Sequence, residues 1–198
     1  MKLDLLITGI GGQGTILASD IIGEVAIRAG YRAKKTDTLG MAQRGGSVIS
    51  HVRIAREVNS ALIRQGEVDI LLAFEKLEAA RWGHYLRPGG TALVNNHSLP
   101  PFSVSIGQEQ YPDDETITRI LRQRTERVLF IEGTRKAREM GNVKALNIYM
   151  LGCLSPLTPF KVQTWKDVIS QHLPPNLRPL NLKAFTAGRK EVARVNLG

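Results

Sequence analysis

Two glycine-rich blocks hold the residue types and spacings in this chain that could do chemistry. Residues 9–14 read Gly-Ile-Gly-Gly-Gln-Gly. They lie between an apolar run at 3–8 and a helical pattern in which Ala18, Ile21, Ile22, Val25, Ala26 and Ala29 recur at three- and four-residue steps. A strand, a glycine turn and a helix N-terminus in that order make an anion site. Backbone N–H groups point outward, the helix dipole favours negative charge, and missing Cβ atoms let a ligand or a second backbone approach. Gly9, Gly11 and Gly14 also fit the dinucleotide spacing, which expects a ribose-binding acid about 20 residues on. Asp37 lies near that place, crowded by Lys34 and Lys35. The other reading is a turn that packs helix on strand and binds nothing. The second block, 40–53, reads Gly-Met-Ala-Gln-Arg-Gly-Gly-Ser-Val-Ile-Ser-His-Val-Arg. Its Gly45-Gly46 pair permits a tight turn, and Arg44 beside it can fork onto a phosphate or carboxylate. Gly11, Gly12, Gln13 and Gly14 are therefore the first candidates to face a phosphate or cofactor, with Gln13 donating from its amide. Gln43, Arg44, Gly45 and Gly46 are the second.

The remaining reactive residue types form no catalytic set. His51 sits on the polar side of a strand pattern with no nucleophile beside it in a motif, which reads as a surface or interface histidine. Asn142, Lys144 and Asn147 could extend one polar helix face toward a ligand, or toward solvent or another subunit. Cys153 is the one cysteine and lies in an apolar helical stretch, as a small core residue does. Iron–sulfur clusters need four cysteine thiolates, and no tight His/Asp/Glu group suggests a metal. Nucleophile elbow, paired catalytic carboxylates and lysine P-loop are all missing. No catalytic residue and no metal ligand is assigned.

The elements that must position the glycine blocks alternate. Strands are predicted at 3–8, 31–36, 47–54, 68–73, 91–95 and 128–132, and helices at 14–29, 75–86, 113–126, 134–154 and 164–171. That order predicts a Rossmann-like α/β fold with a doubly wound, mostly parallel sheet. Residues 56–63 are expected to pair back on 47–54 as an antiparallel excursion. Leu86-Arg87-Pro88-Gly89-Gly90 reads as a helix stop and turn. After residue 155 five prolines interrupt the chain around Trp165 and Phe185, and 182–195 could form a basic helix. The expected organisation is one domain over 1–155 with a Pro-rich, basic extension over 156–198, either an arm that wraps a partner or a segment folded back on its own domain.

A chain of 198 residues with 42% hydrophobic content can bury a core. No apolar run is long enough to span a membrane, no signal peptide is visible, and a single cysteine suits a reducing cytoplasm. The net charge of +9 is uneven: 12 Lys/Arg stand against 13 Asp/Glu through residue 118, and 15 against 5 from Arg119 onward. Such an excess calls for an anionic partner. Part of it complements a helix dipole, since Asp113, Asp114 and Glu115 open a predicted helix and Arg122, Arg124 and Arg127 close it. Without an RNA-recognition signature or a dense basic block interleaved with aromatics, nucleic acid fits less well than an acidic protein face or a polyphosphate ligand.

The two glycine blocks together resemble the gamma-type domain of the 2-oxoacid:ferredoxin oxidoreductases, and most closely the small (beta) subunit of the indolepyruvate branch. Residues 68–81, Val-Asp-Ile-Leu-Leu-Ala-Phe-Glu-Lys-Leu-Glu-Ala-Ala-Arg, and 141–152, Gly-Asn-Val-Lys-Ala-Leu-Asn-Ile-Tyr-Met-Leu-Gly, agree with it. The wording of 41–47 favours that branch over the pyruvate and 2-oxoisovalerate types. The resemblance implies a subunit that is not catalytic alone. In that family a 2-oxoacid, here an aryl pyruvate, is oxidatively decarboxylated on thiamine diphosphate. Electrons pass through iron–sulfur clusters to ferredoxin, and the acyl group goes to coenzyme A. Thiamine diphosphate and the clusters belong to the large partner subunit, with which this chain forms a hetero-oligomer, and no cofactor is expected on this chain alone. A gamma subunit of the pyruvate or 2-oxoisovalerate type is one competing expectation, and a free-standing NAD(P)-binding oxidoreductase is the other. It would need Asp37 or the adjacent lysines at the ribose end.

Overall fold

The computed structural model describes residues 1–39 and 46–195. Six strands, β1 (Lys2–Ile10), β2 (Arg32–Leu39), β3 (Ser47–Ala55), β4 (Val68–Ala73), β5 (Leu86–Asn95) and β6 (Val128–Ile131), form one sheet in the order β2-β3-β1-β4-β5-β6. β1, β4, β5 and β6 pair in parallel, whereas β3 runs antiparallel to both β1 and β2. Five strands therefore share one direction, and the sheet is mixed and mostly parallel, as the alternation predicts. The inserted β3 is the departure. It parts β2 from β1, so the first crossover through α1 (Thr15–Arg28) lands two strands away instead of beside its start.

The sheet is covered on both faces because its central strands are apolar on both. In β1, Leu5 and Ile7 point into one core while Leu6 points into the other. The larger core packs under α1 and under α6 (Leu146–Leu154), α7 (Val162–His172) and α8 (Arg178–Val195). The smaller lies under α2 (Lys76–Trp82) and α4 (Asp114–Arg122), which the short α3 (Phe102–Ser105) separates along the chain. α6 is buried on every side, as an apolar helix in a core must be.

Several boundaries move, each for a local reason. The helix expected over 134–154 is two: α5 (Gly133–Glu139) ends before Gly141, whose φ of 99° a helix cannot hold, and α6 starts after a short 3-10 turn. α2 stops at Trp82, and β5 starts already at Leu86, with a bulge between its pairings at Val68 and Ile70. Residues 56–63 form no strand. They are held on the sheet by single bonds, Lys34 Nζ to Asn59 O (3.1 Å), Arg53 to Leu62 O (3.0 Å) and the Ile63 N–H to His51 Nδ1 (3.3 Å).

The tail packs on the body. Trp165, Val168, Ile169, Ala184, Phe185 and Val192 are buried in the same core as Leu5 and Ile148. α8 crosses α6 at two glycines: a Cβ on Gly152 would stand 2.2 Å from Phe185 O, and one on Gly188 2.1 Å from Tyr149 O. Residues of α7 and α8 thus share the core of the sheet. Among the described residues no helix is long and apolar enough to cross a membrane.

Candidate functional site

The candidate site lies at the carboxyl ends of β1, β4 and β5, where a parallel sheet leaves its ligand crevice. The glycine block closes β1 and opens α1, with Gly12 at φ 97° and Gly14 at φ 81°. Both values belong to the left-handed region that favours glycine. Gly14 stands at the N-cap position with no side chain capping α1, so the first-turn N–H groups have no side-chain partner there. Gly12, Gln13 and Gly14 form one wall of a cleft of about 330 Å³. Thr134, Lys144 and Asn147 line it from α5, the 3-10 turn and α6, and His97 and Leu99 from the segment after β5.

The glycine residues do different work. The Gly11 N–H donates to Gly46 O at 3.0 Å, so the two blocks meet, with Gly11 behind the cleft. Gln13 is mostly engaged in holding the loop: Oε1 accepts from the Ile10 N–H (2.7 Å) and its amide donates to Phe74 O (3.2 Å). One amide hydrogen remains for the cleft. Gly9 must be glycine, because a Cβ there would lie 2.8 to 3.0 Å from Gln13, Thr15 and Phe74. Across the cleft, Asn147 is buried, its Oδ1 accepts from the Ile148 N–H (2.9 Å), and its Nδ2 lies where a Gly14 Cβ would stand. Gln43, Arg44 and Gly45 lie outside the described residues.

The strand ends are tied to one another by buried polar groups. Asn95 at the end of β5 donates to Phe74 O and to Thr134 Oγ1, both at 2.9 Å, and accepts from the Thr134 N–H at 3.1 Å. One amide thus fixes β4, β5 and the start of α5 around the cleft.

A second cavity of about 340 Å³ adjoins the first through Leu99. Its lining includes Ser47, Arg81 and two acids that the sequence reading did not single out, Glu75 and Glu78. Glu75 is fully buried and caps α2 by accepting the Glu78 N–H at 2.9 Å. Glu78 pairs with Arg81 (2.8 Å) and accepts from Ser47 Oγ. Tyr111 donates to Glu75, and burial first, then that carboxylate, pushes its pKa far up. The signal in sequence was Phe-Glu-Lys-Leu-Glu directly after an apolar strand, an acid at N-cap with another three residues on.

The remaining candidates are structural or lie elsewhere. His51 is buried, not superficial: its ring packs edge-on against Tyr85, and burial lowers its pKa. Asp37 accepts from Ser50 Oγ (2.5 Å) and pairs with Lys35 (3.0 Å). With β3 between β2 and β1, it stands two strand spacings, about 10 Å, from the strand that leads into the glycine loop. A ribose seated as in a dinucleotide fold would not reach it. Cys153 is buried against α8, which raises its pKa well above the free thiol's. Among the described residues no group of three or more His, Cys, Asp and Glu could hold a metal ion.

The comparisons with known proteins agree on one family. The sequence profile described as pyruvate ferredoxin/flavodoxin oxidoreductase matches residues 4–191. The chain is 37% identical over 192 residues to indolepyruvate oxidoreductase subunit IorB of Pyrococcus horikoshii, covering 96% of this chain and 95% of that one. Its fold is similar to the gamma subunit of a keto/oxoacid ferredoxin oxidoreductase from Geobacter sulfurreducens (TM-score 0.72, 24% identity, 97% and 99% of the two chains). It is also similar to 2-oxoglutarate:ferredoxin oxidoreductase from Magnetococcus marinus, solved with 2-oxoglutarate, coenzyme A and succinyl-CoA bound (TM-score 0.74, 25% identity). That match spans 98% of this chain and 31% of the longer one. The chain belongs to the pyruvate ferredoxin/flavodoxin oxidoreductase family.

Proposed function

We propose that this chain is the non-catalytic subunit of a 2-oxoacid:ferredoxin oxidoreductase of the indolepyruvate type, and that its cleft receives the phosphate-bearing end of coenzyme A. The end-to-end identity to indolepyruvate oxidoreductase subunits supports the first part. The uncapped N-terminus of α1 facing Lys144 across one cleft carries the second. A helix N-terminus and a lysine on opposite walls suit a phosphate, which takes N–H donors on one side and a point charge on the other. The cleft offers Gly12, Gln13, Gly14 and Asn147 as donors. Arg44, beside Gly45 and Gly46, is proposed to add a guanidinium from the second glycine block.

The overall reaction converts an aryl pyruvate and coenzyme A to an arylacetyl-CoA, carbon dioxide and a proton, with two electrons passing to ferredoxin. Thiamine diphosphate and the iron–sulfur clusters that this needs are assigned to the large partner subunit. One buried cysteine is no ligand set for a cluster. The task of this chain is to seat the co-substrate, not to form or break a bond. A thiol held in the core and no disulfide among the described residues suit a cytoplasmic location.

In the reconstituted complex, Lys144→Ala should raise the KM for coenzyme A about tenfold, the value of one charge-assisted phosphate contact, with the KM for the 2-oxoacid unchanged. Arg44→Ala should act in the same direction with assembly intact. Unchanged kinetics for both substrates in both variants would remove the cleft from the acyl-transfer site.

A further inference from the structure

The chain from 97 to 111, between β5 and α4, has no buried side chain, yet it supplies the wall between the two cavities. Its placement cannot come from a core of its own. Leu99, the residue shared by both cavities, is itself 37% exposed. The strap is instead tied to three consecutive residues at the start of α2. Glu75 Oε1 accepts from the Leu99 N–H at 3.0 Å and from the Tyr111 hydroxyl. The Lys76 N–H donates to His97 O at 3.2 Å, and the Leu77 N–H to Tyr111 Oη at 3.2 Å. Lys76 Nζ adds an ion pair to Asp114 just beyond the strap. Between the two ties, the other side-chain bonds of the strap are local, such as Ser103 to Glu109.

We infer that Glu75 is a positioning residue, whose carboxylate locks the 97–111 strap and so sets the shape of the coenzyme A cleft. The inference rests on the proposed function above for the identity of the ligand. Glu75 is fully buried and receives three donors from three places, Glu78, Leu99 and Tyr111. A helix cap needs one acceptor oxygen; the second oxygen here serves the strap alone. A glutamine at 75 presents one acceptor oxygen and one NH2 group to the same donors. Tyr111 can turn to accept, but the Leu99 and Glu78 amides cannot, so at least one of those two ties is lost. With that oxygen kept at the helix cap, the NH2 group meets the Leu99 N–H, the strap opens, and Leu99 no longer separates the cavities at a fixed place.

The test compares wild type, Glu75→Gln, Glu75→Asp and Tyr111→Phe, each as the full chain and in the reconstituted complex. Amide hydrogen exchange reads the strap without any ligand, and steady-state kinetics read the cleft. Glu75→Gln should speed exchange at Leu99 about tenfold, the value of a hydrogen bond to a charged acceptor. Exchange in β1 and β4 should stay unchanged. In the complex it should raise the KM for coenzyme A with kcat nearly constant. Glu75→Asp, which keeps both oxygens, should restore part of the effect. Tyr111→Phe removes two ties, to Glu75 and from the Leu77 N–H, while keeping the carboxylate, and should act in the same direction, which keeps the test open if Glu75→Gln does not fold. Unchanged strap exchange in the folded variants would overturn the inference, as would faster exchange with an unchanged KM for coenzyme A. Lys144→Ala runs alongside. If it raises that KM and the Glu75 variants do not, the strap role alone fails; if it too is silent, the cleft reading fails whatever the exchange shows.

Discussion

At the scale of single residues, the polar groups that matter are the buried ones, and most of them hold backbone. The half-buried Gln13 and the buried Glu75, Asn95 and Asn147 all bond main-chain groups at strand ends or helix starts. Buried polar groups carry their full desolvation cost when a partner is lost, which makes these positions sensitive. His51 extends the same logic to pH. Its Nδ1 accepts from the Ile63 N–H, and burial holds its pKa below the ordinary value near 6.5. Below about pH 6.5 the unfolded chain takes the proton more readily than the folded one, so stability present above that pH is lost as pH falls through the folded value. Thermal melts between pH 7.5 and 5 should show this loss, and His51→Gln should flatten it. An equally steep loss in the variant would assign the titration to another group. The identity of the residues on the glycine loop was legible from sequence, because spacing and flanking periodicity are local. The roles of Glu75 and Glu78 were not, since their burial depends on Leu99, Tyr111 and Ser47, which come from distant parts of the chain.

At the scale of elements, strand positions were legible and strand order was not. Residues 68–73 form a strand over the range that the apolar run predicts, and β1, β2 and β3 lie within a few residues of their expected ends. Alternating apolar residues do not encode the direction of pairing, so nothing in 47–54 announces that β3 inserts between β1 and β2. That insertion has the largest consequence for function, because it removes Asp37 from reach of the glycine loop. The C-terminal segment teaches a related lesson. Its prolines fall between the α-helices or, at Pro179, in the first turn of α8, while Trp165, Val168, Ile169, Ala184, Phe185 and Val192 follow helical steps and face the core. The contact that seats α8 is backbone against backbone, at Gly152 and Gly188. Gly152→Ala or Gly188→Ala should therefore destabilise the chain by about 1–3 kcal/mol or more, as overpacking does. Denaturant melts read it. A change under about 0.5 kcal/mol, the size of a neutral surface substitution, would mean that the helices part at no cost.

At the scale of the whole molecule, the fold presents a cleft and a charge imbalance. The basic excess from Arg119 onward sits largely on exposed positions, among them Arg122, Arg124, Arg127, Arg138 and Lys144. A surface of that sign draws polyphosphates and acidic protein faces by long-range attraction. Both fit the proposed binding of coenzyme A and docking on a larger partner, and the resemblance read from two glycine blocks agrees with the family found by comparison. The proposed partner and its chemistry rest on that resemblance, because no spacing in this chain describes a surface that lies on another.

The most direct measurement is anaerobic co-expression with the candidate large subunit. Size exclusion and a ferredoxin or viologen reduction assay would follow, on indolepyruvate, phenylpyruvate and pyruvate, with and without coenzyme A. The account predicts a stable brown complex that needs this chain for coenzyme A-dependent turnover and prefers the aryl pyruvates. A colourless chain that elutes alone and leaves the large subunit's turnover unchanged would contradict it.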